Sequence, residues 1–415
     1  RRAFVYRCNQ VTDAPRIPLP FKIALVANTA IGPAATQLFV PSVPAIAVEF
    51  GVAIGVAQIS FSASMVALAI STLFYGPLSD RYGRLPMLYV GLALFLIGTT
   101  VSLFSTDITM LIAGRIVQAM GGAAGMVITR AIVRDIYGPA GAARVLGTLI
   151  VATIGAPMLS IVLGGLITDL FGWRWIFGVS LALGLAVAAL AWATMRGAET
   201  KRATVSSVAD MVRGYGRLFS SPVFVGFILQ GGFGAGSFFA FMAVGPFLMV
   251  EVLHRPATEF GAYFAIVTLV FMSGNFVGGR LSSRVGLERM VVIGGIAALA
   301  CAVLGVGAFA VFGLGVAVMF GTSFFISFGN GLAMPNSQAG ALNVIPELAG
   351  TASGAAAFVQ TIFGAAFAQV VAMIIDPSGT ALFAAMLFAM VTALIFGSIP
   401  LYLKSRAASV GGTAD

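Results

Sequence analysis

Gly76-Pro77-Leu78-Ser79-Asp80-Arg81-Tyr82-Gly83 aligns without gaps to Gly279-Arg280-Leu281-Ser282-Ser283-Arg284-Val285-Gly286, 203 residues further along a chain of 415. Each copy stands between two long apolar runs, and the offset is about half the chain, the mark of an internal repeat. A segment this short between two helices must turn tightly, which suits glycine at 83. Its fixed charges cannot enter lipid, so they pin both helix ends at an interface.

Working outward from these loops, apolar residues make up 59% of the chain and charged residues 9%, against roughly 45–50% and 25% in soluble domains. A soluble chain this long would split into domains, yet apolar runs continue almost unbroken, so the bilayer must solvate most of the surface. About 20 apolar residues cross the hydrocarbon core. Twelve such runs are predicted, over 21–45, 56–78, 86–105, 108–129, 145–169 and 173–195, then 222–249, 259–279, 289–311, 315–336, 350–374 and 379–403. The chain thus reads as an all-α membrane protein of twelve transmembrane helices in two pseudo-symmetric six-helix halves. Its expected parts are an N-terminal tail (1–20), a first half (21–195), a central loop (196–221), a second half (222–403) and a C-terminal tail (404–415).

With both termini cytoplasmic, 20 of the 23 Lys and Arg fall on the inner side, as the positive-inside rule requires. Arg174 and Arg255 fall outside, and Arg115 alone lies within a membrane segment. No acid is clearly mid-membrane. The net charge of +9 therefore reports topology, and nucleic acid is not an expected partner. Residues 1–22 are polar and basic, and the apolar run after them is too long for a cleaved signal, so it is read as the first spanning helix.

Cys8 and Cys301 show no metal or disulfide spacing, and the single histidine, His254, has no Cys or carboxylate set around it. No triad, phosphate loop or pair of buried carboxylates is found, which argues against an enzyme and against a cofactor. Gly231–Gly236 fall inside a spanning run, so they are not a nucleotide loop.

Three further stretches complete the reading. Leu111-Ile112-Ala113-Gly114-Arg115-Ile116-Val117-Gln118-Ala119-Met120-Gly121 places an ionisable group in the fourth run, a functional-site signal by default. Gln118 shares its helix face. The alternative is that Arg115 snorkels outward, since it sits only about six residues, roughly 9 Å, from the helix start. The fifth run carries Gly155, Pro157, Gly164 and Gly165, where small residues permit close helix approach and proline permits a bend. The first run carries Thr36-Gln37-Leu38-Phe39-Val40-Pro41-Ser42-Val43-Pro44.

Together these residues resemble the major facilitator superfamily, and more narrowly its Bcr/CflA-type drug exporters, over nearly the whole chain. The loop at Gly76, Asp80, Arg81, Gly83 and Arg84 is similar to the family's motif A, the Arg115 stretch to motif B and the Gly155–Gly165 stretch to motif C. In the last, Ser160-Ile161 replaces the usual Gly-Pro or Ala-Pro pair, leaving generic small-residue packing as the alternative. The resemblance implies that Asp80 is a gate element, with Arg130 or the start of the helix near Gly350 as its partner. The other reading of the loop is a topological anchor. Ser283 replaces the acid in the second copy. Gln37 stands where these exporters carry an acid, and glutamine cannot titrate; it either hydrogen-bonds substrate or bridges helices. Asn28 and Gln230 are further candidates to line a cavity.

What the resemblance implies is an exporter of drug-like or amphipathic small molecules across a bacterial inner membrane, by alternating access and antiport against protons, acting as a monomer in the bilayer. A uniporter or importer without proton coupling is the alternative, and a non-transporting receptor or structural partner is the rival of another class. With Arg115 as the one expected cavity charge, neutral or anionic substrates should be handled better than lipophilic cations.

Overall fold

The computed structural model describes residues 18–195 and 208–411, with the side chains of 134, 137–154, 208–212, 349–350 and 407–411 excepted. The expected N-terminal tail and much of the central loop lie outside these residues. Among those described, every regular element is helical. The chain divides into two compact units, Arg1–Val52 with Ile59–Ser206, and Ala53–Gln58 with Ser207–Asp415.

The first unit is built from α1 (Leu19–Phe39), α2 (Val43–Phe50), α3 (Ile54–Tyr82), α4 (Arg84–Leu103), α5 (Ile108–Phe171) and α6 (Arg174–Met195). The run expected as one helix over 21–45 is interrupted: a 3₁₀ turn, Val40–Ser42, separates α1 from α2. Pro41 and Pro44 each lack a backbone donor, so continuous α-helical bonding fails here. Ser42 Oγ donates to the Phe39 carbonyl at 2.6 Å and satisfies one acceptor beside the break.

The helices expected over 108–129 and 145–169 are joined in one unbroken helical backbone of 64 residues, α5. Its packing shows that this path reverses. A Cβ on Gly122 would meet Gly32, and one on Gly164 would meet Leu38. A straight helix would put residues 122 and 164 about 63 Å apart, whereas 32 and 38 are about 9 Å apart along α1. The chain therefore turns back between them. Eleven described helices are long and apolar enough to cross a membrane, Ile108–Val133 among them, and Gly155–Phe171 forms a shorter apolar span.

The second unit contains α7 (Val208–Phe219), α8 (Pro222–Phe247), α9 (Ala257–Val285), α10 (Leu287–Phe312), α11 (Val316–Asn343), α12 (Ala349–Met373) and α13 (Thr380–Gly411). Helix α7 falls inside the 196–221 stretch expected as a loop. Leu218 is buried with Phe224, Phe227 and Ala352, while Arg213 and Arg217 on its other face are exposed. That two-faced pattern gives the segment a reason to be helical against the bundle.

The internal repeat recurs in backbone detail. Gly83 alone separates α3 from α4 at φ 101°, and Gly286 alone separates α9 from α10 at φ 91°. Both occupy a conformation that side chains disfavour. Gly91 and Gly294, 203 residues apart like the two loops, both press against a neighbouring helix: a Cβ would lie 2.2 Å from Ala124 Cβ in one case and 2.7 Å from Ala333 N in the other.

Candidate functional site

The first unit holds two clusters built on buried arginines. The first gathers on Arg84, the opening residue of α4, which the one-residue turn at Gly83 folds back beside the end of α3. Arg84 pairs with Asp80, its Nη1 donates to Ser79 Oγ at 2.7 Å and its Nε to Asp135 Oδ2 at 3.0 Å. Asp80 has Arg84 as its ion-pair partner in this structure; the sequence pointed to Arg130, whose position on α5 is exposed, or to the start of the helix near Gly350. Arg81 is exposed and lies over the Tyr82 ring at 5.4 Å. Gly76 makes no close approach, since a Cβ there would meet nothing within 4 Å.

One guanidinium thus joins three helix segments while remaining buried at 6% exposure. Removing it leaves two carboxylates near each other without their cation. Arg84→Ala is expected to cost roughly 2–3 kcal/mol, less than a fully buried pair because both acids keep some solvent contact. Thermal melting of the detergent-purified protein measures this, and a melting temperature equal to wild type would contradict it.

The second cluster centres on Arg115 of α5, whose side chain is turned inward at 1% exposure and does not snorkel. Its Nη1 donates to Gln118 Oε1 at 2.5 Å and its Nη2 to Ser64 Oγ of α3 at 3.3 Å. Gln118 Nε2 then donates to Thr99 Oγ1 of α4 at 2.8 Å. The Phe39 ring of α1 covers the guanidinium, 4.3 Å from its carbon to the ring centroid. All five side chains are buried, and four spans meet on them. Among the described residues, none of the contacts of Arg115 is a carboxylate. By contrast Arg174, on α6, pairs with Glu49, which also accepts from Trp173 Nε1 at 2.5 Å.

The remaining predicted positions are dispersed. Gln37 is part-buried with its Oε1 unpartnered. Asn28 is fully buried and donates to Ala24 O at 2.7 Å; α5 passes so near that a Cβ on Gly125 would stand 2.0 Å from its carbonyl oxygen. Gln230 belongs to the second unit, buried beside Gly397 with both amide atoms unpartnered. Gly164 lets α5 touch α1, since its Cβ would lie 2.1 Å from Leu38 O, and Gly165 is buried next to it. Pro157 is half-buried, and Gly155 is exposed with open space where a Cβ would be.

Sequence reasoning missed Phe39, Ser64, Thr99 and Asp135 as members of these clusters. Phe39 and Asp135 stood in view in the first run and among the inner charges. Only the fold sets them against arginines far along the chain. Each unit also holds an apolar cavity. One, of about 220 Å³, is bordered by Leu38, Phe95, Ser160, Leu163 and Leu183 in the first unit. The other, of about 420 Å³, lies between α12 and α13 at Phe367, Val370 and Phe388.

A family profile described as Major Facilitator Superfamily matches residues 25–369. The chain is 28% identical over 406 residues to a protein of Haemophilus influenzae named bicyclomycin resistance protein homolog, covering 93% of this chain and 98% of the relative. It is 26% identical to multidrug resistance protein D of Escherichia coli, covering 85% and 88%. Among solved structures, a bacterial homolog of the human lysosomal transporter Spinster, inward-facing and occupied, superposes with a TM-score of 0.73 at 17% identity, over 93% of this chain and 96% of the other. That similarity bears on the fold, which is the twelve-helix transporter fold.

Proposed function

The chain belongs to the major facilitator superfamily, and on that premise we propose that it exports drug-like or amphipathic small molecules from the cytoplasm by alternating access. The observation that carries this reading is the likeness to resistance proteins along almost the whole chain. Apolar cavities in both units support it, since amphipathic compounds bind in sites of mostly apolar lining with few polar groups. The excess of Lys and Arg supports cytoplasmic termini in a bacterial inner membrane. In this reading the first half (21–195) and the second half (222–403), linked through 196–221, are the two parts of an alternating-access transporter, and one chain suffices for transport.

Inward proton flow is the driving force that the family resemblance implies. A specific observation favours a second reading, an uncoupled uniporter or importer: Gln37 is not ionisable, and among the described residues no carboxylate is bonded to Arg115. A protonophore separates the two. In an exporter-deficient host, wild-type protein is expected to lower drug accumulation, with accumulation returning to the empty-vector level once the proton gradient collapses. Gln37→Asp should keep that sensitivity. Efflux that ignores the protonophore in both proteins contradicts antiport.

A further inference from the structure

The strongest unspent feature of the first unit is the charge of Arg115. Burying a cation in a low-dielectric interior is costly unless an opposite charge compensates it. Arg115 is compensated only by neutral groups. Gln118 supplies an amide oxygen, Ser64 a hydroxyl and Phe39 the face of a ring. These neighbours have no spare charge to give. Ser64 Oγ already donates to Phe61 O at 2.7 Å, and Thr99 Oγ1, behind Gln118, donates to Phe95 O at 2.6 Å. Arg115 Nε is buried with no acceptor at all. The cluster therefore has one unit of positive charge, and of the five guanidinium N–H donors only two are used among the described residues, with Nε wholly unpartnered.

Two residues that line the apolar pocket of the same unit connect to this cluster along the chain or through the backbone. Leu38 precedes Phe39, the ring that covers the guanidinium, and Phe95 provides the carbonyl that holds Thr99. The pocket is half open, with Leu163 and Leu183 exposed at its edge, and its volume is about 220 Å³. Its lining is almost wholly apolar, with Ser160 and Ser180 the only hydroxyl side chains. Phe39 itself is fully buried, at the last position of α1 directly before the 3₁₀ turn that interrupts the span.

We infer that this pair of features selects amphipathic acids, with a carboxylate or similar monoanionic head on Arg115 Nε and Nη atoms and a one- or two-ring apolar body in the cavity beside Leu38. This deepens the export reading and rests on it for the transport step. The head would supply the missing counter-charge, as charge-assisted bonds to a guanidinium do. A lipophilic cation would meet like charge in the same place.

The test compares matched probes, salicylate with salicylamide and 1-naphthoate with 1-naphthamide, for equilibrium binding to the purified full-length protein in nanodiscs. Wild type should prefer each acid over its amide by at least about tenfold. Arg115→Gln should bring that ratio close to one while leaving the amides bound as before, and Arg115→Lys should retain part of the preference. Ala34→Phe, which fills the cavity, should weaken both naphthyl probes together. If Arg115→Gln fails to fold, the wild-type ratio and Arg115→Lys still decide. An amide bound as tightly as its acid in wild type, or an acid preference unchanged in the folded Arg115 variant, overturns the inference. Efflux of neutral drugs with no acid preference would leave export standing and remove the anion site. Acid-selective binding without any efflux would do the reverse.

Discussion

Gly121→Val is expected to destabilise the protein by about 3 kcal/mol or more and to lower sharply the yield of folded protein in the membrane. A Cβ at position 121 would sit 2.2 Å from Phe95 N and 2.5 Å from Gly91 O, both backbone atoms of α4, so no side chain can swing aside. The first span of α5 and α4 would have to part. They touch at several levels: a Cβ on Gly98 would meet Gln118 N at 2.2 Å, and one on Gly114 would meet Ser102 Oγ at 2.5 Å. Overpacking usually costs about 1–3 kcal/mol, and backbone against backbone belongs at or above the top of that range. Against a total stability of roughly 5–15 kcal/mol, a valine at this seam removes much of the margin. Gly155→Ala is the control, because its Cβ would meet nothing. Fluorescence-detected size exclusion should show a sharply reduced monodisperse peak for Gly121→Val and a wild-type peak for Gly155→Ala. Equal peaks for the two would contradict the close approach.

Arg115→Met should have the opposite profile, with the fold kept and transport lost. Replacing a buried charge by an apolar side chain of similar length removes a desolvation cost, which is often neutral or stabilising. Against that, the Gln118 carbonyl loses its donor, a cost of roughly 1–3 kcal/mol. The two effects nearly cancel, so melting should stay within about 2 kcal/mol of wild type. Efflux of acidic compounds should fall at least about tenfold, as expected for an intramembrane charge retained for function. A collapse in stability comparable to that of Gly121→Val, with efflux per folded molecule intact, would make Arg115 a structural residue.

These two positions show what was legible in the sequence and why the rest was not. The repeat at Gly76 and Gly279, the apolar runs and the sign of each loop are local properties, set by the thickness of the bilayer and the cost of charge within it. They led to a twelve-helix, two-halved chain. Arg115 stood out for the same reason, as an ionisable residue in an apolar run. Of its partners only Gln118, on the same helix face, stood out with it, because Ser64 is 51 residues away and Phe39 farther still. Asp135 was visible as one inner acid among several, and only the fold brings it to Arg84. Glycines are alike in a sequence, yet Gly121 touches backbone while Gly76 and Gly155 face open space. The break at Pro41 was readable from the prolines themselves. The helicity of Val208–Phe219 was obscured by its charges, which decorate one face of a helix whose other face buries Leu218.

The most direct test of the account is uptake of labelled drugs and of 1-naphthoate into inside-out membrane vesicles from an exporter-deficient host, with protein levels verified. Vesicles with the wild-type chain are predicted to accumulate compounds above the empty-vector level, and vesicles with Arg115→Met to lose uptake of 1-naphthoate. Wild-type vesicles indistinguishable from empty vector for every compound would contradict export as the function of this protein.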